Sequence, residues 1–181
     1  MNAIARFVSA VGRLNAVVGK TFSWLALAGV LICFTVVVQR YVFSTTQLWM
    51  QDLYVWLNGA MFMAVAGYTL LIDGHVRVDI LYRPASVRRK AWMDLVGVLV
   101  FLLPFCAVVW LWGFEYVQRA WLLREGSENP GGMPGLFILK SFILVFVVLV
   151  GLQGLAMALR SLLVIKGREE LLPAQYRYQQ G

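Results

Sequence analysis

One histidine, two cysteines and nine acidic residues are all that 181 residues offer to acid–base, thiol and metal chemistry. His75, single and in a loop, cannot supply the paired axial ligands of a haem-bearing four-helix cytochrome. Cys33 and Cys106 lie inside apolar stretches, with no Cys-x-x-Cys motif, so a thiol oxidase that needs exposed paired cysteines is excluded and both read as small packing residues. No Asp or Glu interrupts the apolar stretches, and the membrane-embedded carboxylate of a small proton-coupled exporter is therefore missing. With no nucleophile beside a base, no metal cluster and no phosphate loop, an enzyme is not expected.

The scarcity of charge is also a pattern. No Asp, Glu, Lys, Arg or His occurs from Thr21 to Gln39, Leu53 to Ile72, Leu95 to Phe114 or Ser141 to Leu159. Each run is long enough, at about 1.5 Å per residue, to cross a hydrocarbon core roughly 30 Å thick. With 61% hydrophobic residues the chain carries more apolar surface than a soluble domain of this size could hide. The fold class is all-α integral membrane, with four transmembrane helices over about 21–42, 51–72, 93–115 and 136–160.

What charge there is sits beside the spans. Arg6, Arg13, Lys20, Arg77, Arg83, Arg88, Arg89, Lys90, Arg160, Lys166, Arg168 and Arg177 fall on one side, against Arg40, Arg119, Arg124 and Lys140 on the other. The positive-inside rule places both termini in the cytoplasm. Trp49, Trp110, Trp112 and Trp121 then fall near the outer boundary, where amphipathic rings favour headgroups. The net charge of +7 is thus spent on topology, and nucleic acid is not an expected partner.

Before the first span, Ile4, Phe7, Val8, Val11, Leu14 and Val18 recur at helical spacing opposite Arg6, Arg13 and Lys20. Residues 1–20 are expected to form an amphipathic helix on the inner leaflet, drawn to anionic lipid; the alternative is a cytoplasmic extension of the first span. Ala60, Ala64 and Gly67 make a small-residue face on span two, open to an internal or a foreign helix. Asn58 and Gln153 are amides in apolar surroundings and call for hydrogen bonds across helices. In the inner loop, Asp73 or Asp79 can pair with Arg77. Pro104 should kink span three or need help with the carbonyl it releases; a cytoplasmic tail follows over 164–181, and its polar part from Gly167 to Gly181 is expected to fray.

The residues in order resemble a family. Arg40-Tyr41 after span one, Trp49-Met-Gln-Asp52-Leu into span two, Gly74-His75-Val-Arg77-Val-Asp79 in the inner loop, Trp121 with Glu125-Gly-Ser127, and Gly132-Met-Pro134 before span four are similar to the small membrane subunit of tripartite ATP-independent periplasmic (TRAP) transporters. Many relatives are expected to carry Glu where this chain has Asp52. The resemblance implies a bacterial inner-membrane scaffold that serves organic-acid import. Its partners would be a large transmembrane subunit, which holds the substrate and sodium sites, and a periplasmic substrate-binding protein. Cofactors are expected in the large subunit and none in this chain, with membrane phospholipid at the interface. It further implies that Arg40, Trp49 and Asp52 anchor the first hairpin, that Glu125 and Ser127 order the outer loop, and that His75, Arg77 and Asp79 fix the inner one. The other readings are an accessory subunit of a different membrane complex and a stand-alone four-span carrier.

Overall fold

Long apolar runs leave a chain no way to satisfy its backbone in lipid except as helix. The computed structural model describes residues 3–75 and 82–178, and its regular structure there is helical. Among the described residues, four helical units are long and apolar enough to cross a membrane. Helix α1 spans Ala3–Val42, α2 Leu48–Leu71, α3 Val87–Gly97, α4 Leu103–Leu123 and α5 Leu136–Ile165. A five-residue π-helical segment, Val98–Leu102, joins α3 to α4 into the third unit.

The interfacial helix expected over the first 20 residues is not a separate element. α1 runs unbroken for 40 residues, about 60 Å at 1.5 Å per residue and twice a hydrocarbon core. No proline or cap interrupts it near Lys20. Much of its apolar stripe is covered by the chain itself: Val8 and Val11 pack on Ala156 of α5 and on Tyr176, and Ile4 packs on a cluster of Ala91, Leu163, Val164 and Leu172, while Leu14 stays exposed. Gly19 remains helical in α1 because the bare position admits the Tyr68 side chain of α2. A methyl group there would run into Tyr68 Cβ, one bond from the backbone, where no side-chain rotation clears it. Gly19→Ala should therefore cost about 1–3 kcal/mol in a denaturant titration of the purified chain. Gly12→Ala should cost less, since it meets only the far end of the Tyr176 ring.

Pro104 stands in the first turn of α4, directly after the π-helical segment. The Leu103 amide reaches back five residues to the Val98 carbonyl, and this widened turn makes room for the ring that follows. α5 is the hub: Val147, Leu149, Val150, Gly154, Ala156 and Ala158 are buried against its neighbours. Gly154 takes the Leu102 side chain, and Cys106 packs with Val147 and Val150.

The tail is ordered through Tyr178, contrary to the expectation of fraying. Two 3-10 turns, Glu169–Leu171 and Ala174–Tyr176, lay it across the ends of α3 and α5, and Leu172 is only 1% exposed. Apolar and aromatic side chains at 172, 176 and 178 do this despite the polar composition around them. Both described ends of the chain thus lie at one end of the bundle, called here the termini end; the α1–α2 and α4–α5 connections lie at the other, the loop end.

Candidate functional site

The polar residues gather into three intramolecular ties. At the loop end Asp52, early in α2, is buried although it is an acid. It accepts hydrogen bonds from Asn129 Nδ2 at 2.9 Å, from the Met133 backbone N–H at 2.9 Å and from the Ser127 hydroxyl. The loop is shaped to deliver these donors. The Ser127 N–H donates to the Met133 carbonyl, Gly126 and Pro134 form an antiparallel bridge, and Gly131 and Gly135 take the left-handed φ values that the turn requires. Gly132 has no side chain because Asp52 and Ser127 fill the space.

Glu125 forms an ion pair with Lys140 of α5, whose ammonium lies 4.1 Å from the centre of the Tyr116 ring. Trp121 Nε1 donates to Ser141 at 2.8 Å. Glu125 and Ser127 therefore hold the α4–α5 connection together. Asp52 ties that connection to α2, and its bonds come from residues 127–133. Arg40 and Trp49 are exposed at the same end and contribute none of them.

In the middle, Asn15 is fully buried and donates through Nδ2 to Gln153 Oε1 at 3.1 Å and to the Val11 carbonyl at 3.3 Å. Gln153 thus has the cross-helix bond its position called for, and Asn15 is a partner that periodicity alone placed on no list. Ala60, Ala64 and Gly67 are buried within the chain, with Gly67 closed off by Asn15 and Leu149, so their neighbour is internal. Asn58 is different. It is exposed, and among the described residues nothing bonds its amide.

At the termini end Asp94 of α3, 7% exposed, accepts from Tyr82 at 3.0 Å, Arg160 at 3.2 Å and Tyr178 at 2.7 Å. The Arg160 guanidinium lies 4.3 Å from the Tyr178 ring centre, and Ser161 shares a hydrogen bond with the Tyr178 hydroxyl. Burial, foremost, pushes the Tyr178 phenol up to about 12 from its usual 10; the Arg160 charge lowers it and the Asp94 charge raises it. The docked state therefore prefers the protonated phenol. Its contribution is complete below pH 10 and is lost as the pH rises through about 12. A difference titration of tyrosinate absorbance, wild type minus Tyr178→Phe, should show a midpoint near 12; a midpoint near 10 would mean an undocked tail.

His75 is exposed at the edge of a small apolar cavity between α1 and α2, and Arg77 and Asp79 lie outside the described residues. Among the described residues no three His, Cys, Asp or Glu side chains converge as metal ligands. The arrangement braces helices at both ends and leaves the mid-span free of charge. Sequence reasoning missed Asn15, Asp94, Asn129 and Tyr178, whose partners lie 66 to 138 residues away for every bond outside their own neighbourhood except Tyr82 to Asp94 and Ser161 to Tyr178.

Comparison with curated proteins and with solved structures gives no match. The family described as tripartite ATP-independent periplasmic transporters, DctQ component, matches residues 4–164, which take in the five helices except the first residue of α1 and the last of α5 and leave the docked tail outside. The chain is a multi-pass membrane protein and belongs to the DctQ component family of TRAP transporters.

Proposed function

We propose that this small permease subunit is the fixed scaffold of a sodium-driven importer of organic acids in the bacterial inner membrane. Both termini lie in the cytoplasm. A large subunit carries the substrate and sodium sites and packs on this chain, with phospholipid filling the seam. A periplasmic binding protein delivers the solute to the loop end, where the Asp52 tie keeps the α4–α5 connection in shape for docking.

The observation that carries this reading is Asn58. It lies ten residues into α2, about 15 Å from the start of that helix, among exposed Val55 and Phe62. A bare amide in apolar surroundings demands a hydrogen-bonding neighbour, and none of the described residues supplies one. Exposed Trp24, Leu27, Leu31 and Phe34 on α1 give further apolar area for a membrane partner.

The test is purification of the tagged chain from its host in mild detergent, with mass spectrometry of what remains attached. One large membrane protein at equal stoichiometry is expected, and Asn58→Leu should weaken its retention. Recovery of the chain alone as a stable homo-oligomer would turn the assignment toward an independent carrier; attachment to an unrelated assembly would make it an accessory subunit. In a background without Cys33 and Cys106, a cysteine at exposed Glu128 should be labelled from outside intact cells, and one at exposed Arg88 only after permeabilisation. The opposite pattern would reverse the orientation.

A further inference from the structure

A cavity of about 560 Å³ opens at the termini end between the end of α2, Lys90 of α3, the Gln153 to Arg160 stretch of α5 and the tail from Gln175 to Tyr178. Three cations line it. Lys90 is 9% exposed and its ammonium lies 5.8 Å from the centre of the Tyr82 ring; among the described residues no carboxylate pairs with it. Arg177 spends its guanidinium on the uncharged carbonyls of Leu172 and Glu170, at 3.0 and 3.1 Å. Arg160 has Asp94, but its Nε is buried without a hydrogen-bond partner. Against them stand Asp94, shared with two tyrosines, and Asp73 at the rim, whose charge is felt by Arg160.

A buried ammonium without an anion is costly, and a polar cavity beside it is where the anion would go. The chemistry of the wall specifies the class. A lysine point charge, arginine N–H groups, the Tyr176 hydroxyl and the amides of Gln153 and Gln175 present donors from several directions, which suits an oxyanion with several oxygens better than a planar carboxylate or a halide. The volume exceeds a bare phosphate and leaves room for what the phosphate is attached to.

We infer that this cavity is a binding site for a phosphoryl group, with Lys90 and Arg160 as its charge partners and Arg177 closing it from the tail. The Gln175–Tyr178 segment lies beyond the family-matched residues, so the closure is a property of this chain and not of the matched region. Two sources share the chemistry: the headgroup of an anionic phospholipid and a soluble phosphate ester or phosphate itself.

The full-length chain is reconstituted in phosphatidylcholine vesicles, and its thermal unfolding midpoint is followed by circular dichroism while phosphatidylglycerol is added to the bilayer or inorganic phosphate to the buffer. A ligand that binds only the folded chain raises the midpoint with concentration. Saturable stabilisation by phosphatidylglycerol alone assigns a lipid headgroup; stabilisation by inorganic phosphate assigns a soluble ligand. In either case Lys90→Gln and Arg177→Gln should each weaken the apparent affinity by about tenfold or more, as loss of one charge-assisted contact does. Arg119→Gln, exposed toward the loop end, should leave it unchanged. If Lys90→Gln fails to fold, Arg177→Gln, whose charge sits in the tail, carries the test. No stabilisation by either probe, or both folded variants responding as wild type does, overturns the site.

Discussion

Asp94→Ala should lower the stability of the purified chain by about 3–5 kcal/mol, the usual cost of removing one partner from a buried ion pair. Asp94 is the common acceptor for Tyr82, Arg160 and Tyr178. Its loss leaves the Arg160 charge without its bonded carboxylate and two phenolic hydroxyls without theirs. The defect should also release the tail, because Tyr178 is held through Asp94 and Ser161, and limited proteolysis would then cut near residue 172 well before the bundle unfolds. Asp94→Asn keeps an acceptor but no charge and should fall between. A loss below about 1 kcal/mol for the alanine variant would mean that Arg160 can turn to Asp73, whose charge it already feels.

At the loop end, Asp52→Ala should cost about 2–4 kcal/mol, since hydrogen bonds to a charged group are worth roughly 1.5–3 kcal/mol each and not all are lost once the loop relaxes toward water. Asn129, Ser127 and the Met133 amide lose their shared acceptor together. The unfolding midpoint should drop, and in membranes the loop should become sensitive to added protease while α1 to α3 remain intact. Asp52→Glu is the sharper variant. Gly132 is already pressed against the Asp52 carboxylate and Ser127, so an extra methylene has no room without moving the loop. Glutamate should therefore recover only part of the stability, even though relatives are expected to carry it. Full recovery would show that the loop, and not the carboxylate, sets the fit.

The spans were legible in the sequence because lipid imposes one rule, the absence of charge over a fixed length, and the four helical units obey it. The demand made by Gln153 was legible for a related reason: a lone amide in an apolar run must be answered. Who answers it was not, because Asn15 sits in a stretch read as a surface helix, and only the packing of α1 on α5 brings the two together. Asp94 escaped notice because it stands four residues after Lys90, which on a helix looks like a solvent-facing pair. Its real partners are 12, 66 and 84 residues away. The tail was misread through averaging. Its composition is polar, yet Leu172, Tyr176 and Tyr178 each find a place, and Gly12 on α1 is open where the Tyr176 ring lies. Among the family-derived residues, Asp52, Glu125 and Ser127 meet in or beside the loop-end tie, while Arg40, Trp49 and His75 remain exposed.

The widened turn at Val98–Leu102 carries a consequence for anyone who aligns or edits this chain. A π turn holds one residue more than the regular helix it interrupts, and each residue of an α-helix advances the azimuth by about 100°. A wheel projection drawn straight through the third unit therefore assigns the wrong compass bearing to one half of it. Deleting a single residue between 98 and 102, with the ladder closing to a regular α-helix, would leave Lys90 and Asp94 near the bearing they now have relative to Cys106 and Val117, whereas deleting one residue elsewhere in α3 or α4 would swing the two halves apart by about 100°.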